Sequence, residues 1–185
     1  MQKQLMINFT LCALCAALTC VLAPIAVPIP PIPITLATFA VYLSGALIGP
    51  KYGPISQVIY LILLFIGLPV GAGFMGGAGL FLGPTAGFLI GFVPTSFVIG
   101  LLYSKFGKST NNYINKILWL LLSFIVGTIV CYILGLVWYM LYSGADFVAA
   151  LMVCVVPFLV GDTLKIIALL LLVPQLENAL KSQLS

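Results

Sequence analysis

Asp162 and Lys165 stand three residues apart in the last long apolar run of a chain that carries only seven basic and three acidic side chains. Residues at this spacing differ by roughly 60° around a helix axis and about 4.5 Å along it, so the two share a face. Two chemistries follow. The pair can neutralise itself and fix how helices pack, or it can converge on one polar ligand, the carboxylate accepting N–H groups and the ammonium donating to a carbonyl or carboxylate. A charge near the middle of a spanning helix costs about 2.5 to 3.5 kcal/mol on insertion scales, so the face carrying both residues is expected to look into a bundle or a wet cavity. On an ideal helix Asp162 lies about 22 Å from residue 147 and about 17 Å from residue 173. Pro157 and Gly161 can kink or delay the helix and bring the pair nearer a membrane surface.

Little else in the chain could do chemistry. With three acidic residues and no His, the carboxylate clusters of a two-metal phosphotransferase and the usual bases of an intramembrane hydrolase are missing, and no enzyme activity is expected. No glycine-rich GKS/T loop is present, so the chain is not expected to hydrolyse ATP by that route. Cys12, Cys15, Cys20, Cys131 and Cys154 all lie in apolar runs, where cysteine is most often a small buried hydrophobe. Neither a metal site nor a cofactor is expected. The net charge of +4 comes from dispersed lysines, which fit membrane topology better than nucleic-acid binding.

The elements that must position Asp162 and Lys165 follow from a composition that is 63% hydrophobic over 185 residues. This is a membrane protein's composition, and its apolar runs are expected to be helices because an unsatisfied backbone cannot face lipid. Six spans are predicted, near 5–23, 35–49, 54–68, 84–104, 116–142 and 147–173, in one compact all-α bundle and one domain over residues 1–185. The first run reads as a retained span, since it leads into a proline-rich turn without a convincing cleavage site. Six crossings put Lys3, Lys51, Lys105, Lys108, Lys116 and Lys181 on one side and only Asp146 in the opposite loops, so both termini are expected in the cytoplasm. Lys165 alone is unexplained by topology.

Two outer loops stand out. Residues 24–33 hold five prolines and should form a stiff, extended connection. Residues 67–87 interleave Gly71, Gly73, Gly76, Gly77, Gly79 and Gly83 with Phe74, Met75, Leu80 and Phe81. Such a loop suits a cap over a cavity, with glycines permitting close backbone approach to a ligand. Ala13 and Ala17 form a small-residue pair of the kind that lets helices approach closely. Trp119, Trp138, Tyr139 and Tyr142 are read as anchors at the membrane interface. No internal repeat is apparent.

Five ordered segments make the chain recognisable: Pro28-Ile-Pro-Pro-Ile-Pro-Ile-Thr-Leu36, Gly45-Ala-Leu-Ile-Gly-Pro-Lys-Tyr-Gly53, Gly67-Leu-Pro-Val70, Gly83-Pro-Thr-Ala-Gly-Phe88 and Gly161-Asp-Thr-Leu-Lys165. Together they resemble the BioY family of biotin transporters, the substrate-binding S components of energy-coupling factor (ECF) transporters. The resemblance implies a six-helix protein of the prokaryotic plasma membrane that captures biotin from outside with high affinity. It implies as partners a transmembrane coupling subunit and two cytoplasmic ATPases. It implies docking of that coupling subunit on an Ala-rich face of the first helix, here Ala13 and Ala17. Substrate-binding candidates are Asp162 and Lys165, with Thr35, Gly73, Phe74, Met75, Gly76, Gly77 and Thr85 from the loop motifs. The sequence departs from the commoner family pattern at Ala37, where many members have Gln, and at Phe74 or Met75. The alternative classes are a stand-alone secondary transporter of a small vitamin-like solute, coupled through Asp162, and a non-transporting assembly subunit.

Overall fold

Lipid offers no hydrogen-bond partners to a backbone, so long apolar runs must satisfy themselves as helices, and in a computed structural model of the chain they do. Residues 2–110 and 112–184 are described; Met1, Asn111 and Ser185, and the side chains of Lys3, Gln4, Lys181, Ser182, Gln183 and Leu184, lie outside the described set. The helices are α1 (Gln2–Leu22), α2 (Ala37–Phe65), α3 (Ala86–Leu102), α4 (Tyr113–Ser143), α5 (Phe147–Cys154) and α6 (Val156–Leu184). Among the described residues five helical stretches are long and apolar enough to cross a membrane. α3 continues through a π-helical turn, Tyr103–Gly107, and packs between α2 and α4.

The runs expected at 35–49 and 54–68 both fall within α2, which folds back on itself. Gly49 breaks the helix with φ 79° and ψ −173°, a conformation open to glycine and strained for a residue with a Cβ. In a straight helix residues 44 and 57 would be about 20 Å apart, yet the Gln57 side-chain amide donates to Ser44 Oγ at 3.0 Å. The two limbs therefore lie side by side. Pro50 follows the break, where a missing N–H does no harm at the first turn of the second limb. A fully buried polar cluster binds these limbs to their neighbours: Gln57 also donates to Ser56 at 3.1 Å, Thr19 Oγ1 lies 3.4 Å from Gln57, and Ser44 shares a bond of 3.0 Å with Ser96.

Two stretches differ from expectation, and the glycine loop gains local structure. The proline-rich segment is not simply extended: short strands β1 (Ala26–Val27) and β2 (Ile34–Thr35) pair antiparallel and make it a hairpin. The 67–87 loop contains two 3₁₀ turns, Ala72–Phe74 and Ala78–Phe81. The run expected at 147–173 is interrupted at Val155 (φ −123°, ψ −56°), just ahead of Pro157, whose ring and missing N–H end a preceding helix. α6 then continues through Pro174 to Leu184, beyond the end of the apolar run. Its last part brings in Gln175 and Glu177, good helix formers, and carries Asn178 with them.

α4 shows why its ends fall where they do. Asn112 Oδ1 accepts from the Ile114 amide at 2.9 Å and caps the start. Gly144, left-handed at φ 69°, receives the last turn at the C-terminus. Trp138, read from sequence as an interface anchor, donates its indole N–H to the Gly83 carbonyl at 2.9 Å and fastens the glycine loop to α4. Trp119 stacks on Phe106 with ring centroids 4.6 Å apart.

Candidate functional site

The break before Pro157 decides where the charged pair sits. Asp162 lies six residues into α6, about 9 Å along its axis, so it stands near the start of that helix. It is 3% exposed, and Lys165 7%. The ammonium of Lys165 makes three bonds, as many as it has protons: to Asp162 Oδ1 at 2.8 Å, to Thr38 Oγ1 at 2.8 Å and to the Thr35 carbonyl at 2.7 Å. Asp162 in turn accepts from Thr38 at 3.1 Å on Oδ1 and from the Tyr132 hydroxyl at 2.6 Å on Oδ2. The carboxylate thus draws on three elements: α6 supplies Lys165, the first turn of α2 supplies Thr38, and the middle of α4 supplies Tyr132.

Local sequence explains how these groups arrive. Thr35 ends β2, so its carbonyl is free to meet Lys165, while its hydroxyl accepts from the Ala37 amide at 3.2 Å and steadies the entry into α2. Thr38 follows three residues later and therefore reaches the same ammonium from the helix side. Tyr132 sits in the interior of α4, more than two helical turns from either end, with its hydroxyl on the buried Asp162 carboxylate.

This network forms one wall of a cavity of about 470 Å³. The remaining walls are largely apolar and aromatic: Tyr60, Leu64, Phe88, Phe92 and Phe158, with Pro31, Ile32 and Leu80 from the hairpin and the glycine loop. Phe88 and Phe158 stack with centroids 5.9 Å apart. A cavity of this size and lining, with a few convergent polar groups at one end, is the form small-molecule sites take, which typically enclose about 300 to 1,000 Å³. Its charged pair is already neutral as a unit, so the site has no excess charge to offer a ligand; it offers directed acceptors and a flat apolar slot.

The structure brings Asp162, Lys165, Thr35, Met75, Gly76 and Thr85 to the cavity lining. Gly73, Phe74 and Gly77 stand outside it. The Gly73 amide donates to the Pro24 carbonyl at 3.2 Å and the Gly77 amide to the Leu64 carbonyl at 2.8 Å, so both hold the cap in shape. Phe74 is 71% exposed and points away from the lining. Gly76 packs so tightly that a Cβ there would meet the Leu68 carbonyl. Ala37, where the family pattern often has Gln, also lines the cavity. Thr38 and Tyr132 escaped the sequence reading. The available signal was a tyrosine in mid-span, where an interface anchor has no place.

Ala13 and Ala17 lie on the exposed side of α1, while Cys12, Cys15 and Ala16 face inward. Among the described residues no group of His, Cys, Asp and Glu could hold a metal ion, and all five cysteines are unpaired.

Comparison with known proteins agrees with this architecture. The BioY family model matches residues 1–182. A probable biotin transporter BioY of Pyrococcus horikoshii is 38% identical over 169 residues, 91% of this chain and 95% of that protein. The biotin transporter BioY of Thermotoga maritima is 38% identical over 162 residues, 88% of this chain and 90% of its own. The crystal structure of the S-component for biotin from an ECF-type ABC transporter superposes with a TM-score of 0.84 at 32% identity, covering 96% of this chain and 94% of that one. A match across nearly the whole length, in sequence and in fold, places this chain in the BioY family.

Proposed function

We propose that the cavity beside Asp162 binds biotin and that the chain takes up biotin across the cytoplasmic membrane as the S component of an ATP-driven ECF transporter. The observation that carries this reading is the neutral Asp162–Lys165–Thr38–Tyr132 network at the end of an apolar, aromatic slot. Biotin has the matching parts: a fused ring system for the slot and a ureido group with two N–H donors and one carbonyl acceptor. Its valerate tail carries a carboxylate that can stay near the cavity mouth.

Counting lone pairs orients the ligand. A carboxylate offers about four acceptor sites. Lys165 and Thr38 occupy Asp162 Oδ1, whereas Oδ2 accepts from Tyr132 alone. The open acceptor is on Oδ2, and a ureido N–H fits it. The Tyr132 oxygen, having donated its own proton, is the natural acceptor for a second N–H. Lys165 is fully engaged, so its part is to hold Asp162 charged and in place, and it meets the ureido carbonyl only by releasing Thr35 or Thr38.

The membrane arrangement belongs to the same proposal. Counting the two limbs of α2 separately and α5 with α6 together gives six crossings, with both termini in the cytoplasm by the distribution of lysines. The hairpin and glycine loop then close the cavity on the outer side. The exposed Ala13 and Ala17 face of α1 docks a transmembrane coupling subunit, which connects to two cytoplasmic ATPases. The chain itself performs capture and delivery and makes or breaks no covalent bond. A calorimetric titration of the purified chain in nanodiscs, without ATP, tests the core of this. Saturable binding of biotin, weaker binding of dethiobiotin and none of lipoate is the expected result; no heat of binding with biotin overturns it.

A further inference from the structure

The end of the bundle remote from Asp162 holds a second hollow of about 820 Å³. Glu177 on α6 forms its inner wall, about 22 Å along the helix from Asp162. Three lysines line the same hollow, Lys51, Lys108 and Lys116, against that single carboxylate. Lys116 meets Glu177 at 2.6 Å and Lys108 at 3.3 Å. Lys108 also donates to the Leu47 carbonyl at 3.1 Å. Lys51 has no carboxylate partner among the described residues; its ammonium lies 5.4 Å from the Tyr52 ring centroid. Three positive charges and one negative leave this hollow cationic, although the Lys116 side chain is only 17% exposed. Lys116 is neutralised by Glu177, whereas Lys51 and Lys108 are exposed, so the excess charge is open to an anion entering the hollow.

We propose that the hollow seats the phosphate headgroup of an anionic phospholipid. Its walls are of two kinds, which is what separates a lipid from a free anion. The lysines and the Tyr52 and Tyr113 side chains supply a polar floor, while Ile7 and Leu11 of α1 supply an apolar flank. Leu47, Ile48 and Leu180 extend that flank and give acyl chains an apolar surface to lie along. Basic pockets between spanning helices at the inner leaflet take anionic headgroups for this reason, each lysine near the surface contributing about 1 kcal/mol. The ligand class is therefore a phosphodiester lipid of net negative charge, and the site stands independently of the biotin reading.

The test uses the full chain in detergent, reconstituted with phosphatidylglycerol or phosphatidylcholine, with retained lipid read by native mass spectrometry. Phosphatidylglycerol is expected to stay bound where phosphatidylcholine is lost, and millimolar inorganic phosphate is expected not to displace it. Lys108→Gln and Lys51→Gln should each weaken retention about fivefold. Lys51→Gln leaves both ion pairs of Glu177 intact, so it reports on the site even where the Lys108 variant fails to fold; an unchanged circular-dichroism melt confirms that it folds. Equal retention of the two lipids, or Lys51→Gln retaining lipid as the wild type does, overturns the proposal. Displacement by inorganic phosphate overturns the lipid assignment in favour of a free anion.

Discussion

Asp162 and Glu177 are both buried carboxylates on α6, 3% and 7% exposed, and both meet lysine, yet they sit in opposite kinds of surroundings. Asp162 is paired with a lysine three residues along its own helix and completed by two neutral hydroxyls, in a slot that is otherwise apolar. Glu177 is paired with Lys108 and Lys116, which lie across the bundle after α3 and at the start of α4, and it also accepts from the Tyr103 hydroxyl at 3.1 Å. The first arrangement fixes a carboxylate without closing it, because a lone pair on Oδ2 remains. The second fastens three chain segments together and lines the open hollow with three lysines against one carboxylate. A buried ion pair is weak evidence for stability by itself; the balance of charge that faces the cavity says more about its use.

The sharpest way to break this contrast is to remove the charge at the cavity. Asp162→Asn should reduce biotin affinity about 100-fold or more, since truncating one partner of a buried charge pair costs roughly 2 to 5 kcal/mol and leaves Lys165 unpaired. Replacing both residues, Asp162→Leu with Lys165→Met, separates the roles. Volume-matched apolar residues can substitute for a buried pair at little cost in stability, so the double variant should melt near the wild type while binding no biotin. If it binds biotin normally, or if Asp162→Asn lowers only the Tm, the network is a packing device and the two carboxylates do the same work.

Glu177→Gln should give the opposite pattern. Lys108 and Lys116 would lose their shared counter-charge, and a loss of stability of about 1 to 3 kcal/mol is expected, read as a lower Tm. Biotin affinity should stay within about twofold, because the site is some 22 Å along α6. A large loss of affinity here would show that the two ends are coupled, and the comparison would have to be redrawn as one extended network.

How far this contrast was legible beforehand follows from chemistry. A charge in an apolar run is conspicuous, so Asp162 and Lys165 could be found from sequence, and their spacing put them on one face. Thr38 and Tyr132 carry no such mark, since threonine and tyrosine are ordinary residues in spanning helices and their role depends on which helices meet. Glu177 was passed over because it lies past the apolar run, where a helix was not expected to continue. The sharp fold in α2 was legible as a turn between two runs, but its placement on Gly49 required the backbone. Of the glycine loop, the sequence indicated a cap; it did not separate Gly76, which lines the cavity, from Gly73 and Gly77, which brace the loop through backbone bonds.

Tyr132→Phe sharpens the reading at the level of one proton. The variant keeps the ring in the cavity wall and removes only the hydroxyl that donates to Asp162 Oδ2 at 2.6 Å. A hydrogen bond to a charged group contributes about 1.5 to 3 kcal/mol. Part of that loss is offset because the vacated lone pair can accept from the ligand instead. The expected result is therefore about a tenfold loss of biotin affinity, well short of that for Asp162→Asn, with a small change in Tm. A loss as large as that of Asp162→Asn would mean that the tyrosine oxygen is itself the main ligand contact.

The smallest effect is expected at Gly49, which floors the cationic hollow and carries none of its charge. Gly49→Ala forces a Cβ into a backbone held at φ 79°, where only the Ser104 hydroxyl, 3.4 Å away, stands near it. The space is adequate, so the penalty is conformational, about 1 to 3 kcal/mol for a side chain in this glycine-only region. The Tm should fall by a few degrees with biotin affinity unchanged, because the strain lies at the fold of α2 and Thr38 lies at its start. Lipid retention is the informative readout. It should survive if the lysines hold the headgroup as point charges, and it should fall if the turn at Gly49 sets their spacing, which would make the backbone of α2, and not charge alone, the feature that distinguishes this end of the bundle from the cavity beside Asp162.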